Sequence, residues 1–187
     1  MALIRPKNIP TANLSDGTNF LQDVPAGSII QAKQSVRTSP YVTTSGSFVF
    51  PDNLSIDITP SSASSQFVIT PNLWVASTRW TSIITLQRNG VDIGLADPAG
   101  NRDTSFLNWN MDYTMLTTHG YQHHVTGTLI DSPNTTGTIT YRIGVKRRPD
   151  NEGGNADARI NYSVNDRDTT SYDQRHISSI TVYEIKQ

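Results

Sequence analysis

The chain of 187 residues has no cysteine. That excludes disulfides, a thiolate nucleophile and any cysteine-ligated zinc site. It also has little charge of either sign in excess. Lys plus Arg number 15 and Asp plus Glu 16, for a formal net charge of −1 and a pI of about 6.4. Such a balance supplies no broad field for gripping nucleic acid or an anionic membrane surface, so neither partner is expected. The one basic run, Lys146-Arg147-Arg148, lies beside Asp150 and Glu152 and suits the solvated end of a strand. Long apolar runs are missing too. None approaches the roughly 18 residues of a membrane span. The start, Met1 to Lys7, holds no secretory core of roughly 7–15 apolar residues. A soluble, reduced product of a cytoplasm is therefore expected, and the Asn-x-Ser/Thr sequons at Asn13, Asn53, Asn134 and Asn161 read as chance. Phosphate-binding glycine loops, a Gly-x-Ser-x-Gly elbow and His-Glu-x-x-His are all absent, so no enzyme, cofactor or catalytic residue is expected.

What is present is serine and threonine, about a fifth of the chain, and a persistent two-residue alternation. Residues 1–26 lie outside that pattern. They carry Pro6, Pro10 and Pro25 with scattered apolar residues, too few to offset their own ordering entropy. An extended N-terminal arm that becomes ordered on a partner fits them. Leu3, Ile4, Arg5, Pro6, Lys7, Ile9, Phe20 and Leu21 are its candidate contacts.

From Gly27 to the end at residue 187 the alternation predicts one β domain. Ile30, Ala32 and Val36 open a first strand. Leu54, Ile56 and Ile58 alternate with polar residues and stop at Pro60-Ser-Ser62. Phe67, Ile69, Leu73 and Val75 share one parity, with Pro71 expected at a bulge or edge. Asn89-Gly90 predicts a type I′ hairpin, because both turn positions need positive φ. Leu107, Trp109, Met111, Tyr113 and Met115 make the most regular strand. Ile139 to Val145 follows, then a short strand at Ile160, Tyr162 and Val164. The last strand, around Ile180 to Ile185, is apolar on both faces and so central or at an interface. About ten strands at this spacing and no amphipathic helix indicate an all-β, two-sheet sandwich or jelly roll.

Three passages resemble tailed-phage structural proteins, especially those of marine and cyanobacterial phages. They are Pro25-Ala-Gly-Ser-Ile-Ile-Gln31 with the corner from Leu54 to Ile69, then Leu86-Gln-Arg-Asn-Gly-Val-Asp-Ile-Gly94, and the closing Ser178 to Ile185. The resemblance spans roughly residues 25–185 and includes capsid decoration proteins, head fibres and tail-fibre tips. It implies a jelly roll like those of the tumour-necrosis-factor and complement globular-head families, which assemble as homotrimers. A short chain with an arm and one domain looks most like a decoration (cement) protein on the capsid surface of the virion, its arm on the major capsid protein. The alternative is a fibre tip that binds a host surface glycan through loops near 97–103 and 150–175.

His119, His123 and His124 could supply a metal site, but the last two face opposite ways on a strand. Asp150, Glu152, Asp166 and Asp168 lack the spacing of a calcium loop. Asp112 and Asp131 alone do not make a glycosidase pair. No metal site is expected. Trp109 suits the core. Trp74 has the opposite parity from its apolar neighbours, and with Trp80, Tyr183 and Ile185 it is a candidate for burial between subunits.

Overall fold

The structure, a computed structural model, describes residues 24–78, 81–110, 122–148, 156–168 and 173–187. The described residues form twelve strands and no helix. These are β1 (Ile29–Arg37), β2 (Tyr41–Thr43), β3 (Ser55–Ile58), β4 (Gln66–Ala76), β5 (Thr81–Arg88), β6 (Val91–Ile93), β7 (Leu107–Asn110), β8 (His123–Thr126), β9 (Leu129–Asp131), β10 (Ile139–Arg147), β11 (Ala158–Ile160) and β12 (Ser178–Ile185). Every pairing between them is antiparallel.

Two sheets result. In the first, β4 is the hub. It pairs with β12 and then β11 along one side, and with β9 and then β8 along the other. Outside β12 and β11 run β1 and β2. The second sheet has β10 between β3 and β5, with β6 and β7 sharing the far side of β5. Treating β1/β2, β12/β11, β9/β8 and β6/β7 as interrupted ribbons leaves four ribbons in each sheet. The protein is thus an all-β sandwich of jelly-roll-like form.

The core lies between the sheets and follows the alternation. Leu54, Ile56, Ile58, Phe67, Ile69, Leu73, Val75, Ile84, Leu86, Ile139, Tyr141, Ile143, Val145, Ile180 and Val182 are all buried. Each fully buried Leu, Ile or Val contributes about 1.5–3 kcal/mol of transfer free energy. Trp109 joins them at 8% exposure. Asn89 and Gly90 have φ of 49° and 85° and close a two-residue loop between Arg88 and Val91. The hairpin expected there is present. The last strand is central, between β1 and β4.

Three expectations need correction. Pro71 is neither at an edge nor at a bulge. It lies inside the central strand β4, opposite Ile180, in unbroken register with β12. Its carbonyl accepts from the Thr126 hydroxyl at 2.7 Å, so its nitrogen also faces the β8/β9 side. On that side the ladder passes from β9, which ends at Ile69, to β8, which begins at Asn72. The missing N–H falls in that gap and costs no ladder bond.

The first strand forms, but Ala32 and Val36 face solvent and Val36 is 37% exposed. β1 is an edge ribbon whose inward face ends on the buried Arg37, held by the carbonyls of Asp52 and Pro40. The strand at Ile160 ends there, short of Tyr162 and Val164. Asn161 turns the chain with φ 56°. Fully buried, it donates from Nδ2 to the Arg37 carbonyl and accepts from the Ser178 hydroxyl at 2.6 Å. Asn53 and Asn134 are also left-handed, so three of the four sequons are turn asparagines.

Candidate functional site

The outer face of the first sheet gathers what alternation leaves over. Because side chains on paired strands line up in rows, the register dictates which residues meet. One row runs Ala32, Tyr183, Val68, Ile130 across β1, β12, β4 and β9. Ala32 is exposed, Tyr183 and Val68 are half-buried, and Ile130 is 63% exposed. Beside it Ile185 pairs with Gln66, whose amide donates to the Ser132 hydroxyl. The next row is polar: Gln34 donates to Thr181, and Thr70 shares a hydrogen bond with Thr128.

At the far end of the same face, Trp74 sits across from His124. The His176 ring stacks on the indole at 3.8 Å, and His124 lies tilted against it at 5.3 Å. His124 Nε2 is 2.6 Å from the Asn72 amide oxygen, to which a ring N–H donates. Burial lowers the His176 pKa from its usual value, because the charged ring would lose hydration. His123, on the inward side of β8, stacks on Trp109 at 4.5 Å and is lowered for the same reason.

Of the four residues marked for a subunit interface, Trp74, Tyr183 and Ile185 share this one outer face. Trp80 lies outside the described residues, as do the arm residues Leu3, Ile4, Arg5, Pro6, Lys7, Ile9, Phe20 and Leu21. His119, Asp112, Asp150 and Glu152 also fall outside them. Ala32, Val68, Ile130 and His176 were missed. The parity of Val68 and Ile130 against their core neighbours was the available signal for two of them.

The root of the arm is pinned beside the chain's end. Gly27 N–H donates to the Lys186 carbonyl at 2.8 Å, Lys186 N–H to Ser28, and Lys186 Nζ to the Val24 carbonyl. Residues 24–28 therefore lie next to Ile185, at one end of the apolar face.

Other candidate clusters are neutralised internally. Asp131 accepts from Arg88 at 2.7 and 2.9 Å and from the Tyr141 hydroxyl at 2.6 Å, which ties the two sheets at their edge. Asp166 pairs with Arg175, and Asp173 with Arg167. Among the described residues no three metal-ligating side chains converge. The basic run ends β10 as expected: Lys146 pairs with Asp103 at 2.9 Å, and Arg147 donates to the Thr44 carbonyl.

No protein-family model matches the chain, and no curated protein matches it in sequence. A second candidate face exists. On the outer side of the second sheet, Thr81, Ile83, Asn108, Asn110 and Arg148 meet the loop around Asn101 to Ser105 in a groove of about 560 Å³.

Proposed function

We propose that the chain is a structural protein of a tailed-phage virion, a capsid decoration protein that assembles as a homo-oligomer, a trimer by its architectural resemblance. The oligomer forms through the outer face of the first sheet, and the arm of residues 1–26 reaches the major capsid protein. One observation carries the oligomer: the outward-facing row Ala32–Tyr183–Val68–Ile130, half-buried at its centre and exposed at its ends, continued by Ile185. Aromatic and aliphatic side chains lined up across four strands gain most when an identical face covers them. The arm root lies at the end of that face, so closing it brings several arms together. Each arm then adds to the avidity for a repeating shell.

The test is deletion of residues 1–23, followed by light scattering and binding to empty capsids of the encoding phage. A soluble oligomer that no longer binds capsids supports both parts. Capsid binding undiminished by the deletion removes the arm mechanism. A monomer at micromolar concentration with the full chain removes the oligomer.

A further inference from the structure

The groove on the second sheet lies on the side of the sandwich opposite the apolar face, and its inventory differs in kind. Its floor is two cross-strand rows. Asn110 pairs with Thr81, and Asn108 with Ile83, which in turn pairs with Lys146 of β10. The Arg148 N–H donates to the Thr81 carbonyl, which sets the guanidinium stem at the end of the first row. The wall is the loop of Asn101, Arg102, Asp103 and Ser105, tethered to the floor by the 2.9 Å Lys146–Asp103 pair.

Hydrogen-bonding capacity is left over in this groove. The Thr81 hydroxyl donates to Asn110 Oδ1, which leaves the Asn110 NH₂ without a partner among the described residues. Asn108 is exposed on the same strand face. Alternate residues on a strand stand roughly 6.6 Å apart, about the span of one sugar ring. Each amide offers both a donor and an acceptor, which suits neighbouring hydroxyls. Ile83, buried on the floor, supplies a small apolar patch. The charges are lopsided. Lys146 is balanced by Asp103, whereas Arg102 and Arg148 have no ion-pair partner among the described residues. A guanidinium binds a carboxylate in a two-pronged fashion. Nucleic acid fits poorly: two arginines on a chain of net charge −1 make a weak phosphate track.

From this arrangement we infer that the groove binds an acidic saccharide, its carboxylate on Arg102 and Arg148 and its hydroxyls on Asn108, Asn110 and Ser105. The volume falls within the range of roughly 300–1,000 Å³ typical of ligand sites. This sharpens the fibre-tip alternative, since the loop at 97–103 forms one wall. It does not depend on capsid binding, so either can fail alone.

The experiment titrates the full chain with tetra-galacturonate, with its methyl-esterified form and with inorganic sulfate, read by calorimetry and amide chemical shifts. The expected result is binding of the free acid, with shifts at residues 101–110. The ester should bind at least about tenfold more weakly, a difference of about 1.4 kcal/mol. R148A and R102A should each weaken the acid about tenfold and barely change the ester, whereas N108A should weaken both. These side chains are exposed, so the variants keep the fold, and circular dichroism checks it. Absence of shifts at 10 mM saccharide overturns the inference. So does equal binding of acid and ester, or sulfate binding as tightly as the saccharide.

Discussion

Glu184 Oε1 accepts both the backbone N–H and the hydroxyl of Ser61, each at 2.6 Å. The Ser65 hydroxyl joins the same oxygen at 2.7 Å. Glu184 is 1% exposed, so a carboxylate from the last strand is buried inside the Pro60-Ser-Ser corner. The corner and the closing strand are therefore one structural unit.

Glu184→Ala leaves the buried Ser65 hydroxyl, and the part-buried Ser61 donors beside it, without their acceptor. Stability should fall by about 2–4 kcal/mol, with a Tm roughly 5–15 °C lower. Glu184→Gln keeps an acceptor oxygen and should cost less than half as much. Thermal unfolding of the two variants checks the order, and equal losses would show that shape rather than hydrogen bonding holds the corner.

The core was legible in the sequence, and the polar joints were not. Leu54, Ile56 and Ile58 alternate visibly because a half-wet strand must have period two. Asn89-Gly90 declares its turn through backbone sterics alone. Pro71 misled because its cost depends on whether a partner strand needs its N–H, which is a tertiary matter. Val36 follows the same alternation as a core strand, yet faces outward because β1 is an edge. Asn161 and Glu184 looked like a sequon and a strand residue. Their partners lie 17 to 124 positions away, so no local pattern could reveal them. The outer face was half legible. The parity of Trp74, Val68 and Ile130 marks it, but His176 lies outside the strands and joins it only by stacking on Trp74 in the folded chain.

Gly144 is a second joint. A Cβ there would come within 2.7 Å of Phe50 Cε1 and 2.9 Å of Thr85 Cγ2. Phe50 lies across the outer side of β10, with the Arg142 guanidinium 3.8 Å from its ring centroid. Gly144→Ala should cost about 1–3 kcal/mol through overpacking. Phe50→Leu should recover part of that loss, since it removes the ring edge. Urea unfolding of the single and double variants tests this, and strict additivity would show that the two sites do not touch.

Tyr141 gives a pH dependence. Burial first, and then the hydrogen bond to Asp131, raise its hydroxyl pKa well above the usual 10.0. The unfolded chain releases this proton near pH 10 while the folded chain keeps it. The resulting stability is fully present below pH 10 and declines as pH rises beyond it. Tyr141→Phe should lose about 1 kcal/mol at pH 8 and show a shallower decline between pH 8 and 10.5. Urea midpoints at the two pH values measure this. An unchanged slope would mean that the hydroxyl ionises as freely in the fold as in the open chain.

The outer row of the first sheet makes the last prediction. Tyr183 and Ile130 are two strands apart in register, with Val68 between them. Their side chains point away from the core, so a carboxylate at either place meets water in a single chain. It meets an apolar face in an assembled one, where an unpaired buried charge costs several kcal/mol. Tyr183→Glu and Ile130→Glu should therefore leave circular dichroism unchanged and convert the oligomer to monomer in light scattering. Val91→Glu is the control: Val91 is 66% exposed but lies at the edge of the other sheet, beside the Asn89-Gly90 turn, and should leave the subunit count intact. Oligomers that survive both row variants would place the interface elsewhere, and with it the advantage of lining four strands with apolar side chains on a face turned to solvent.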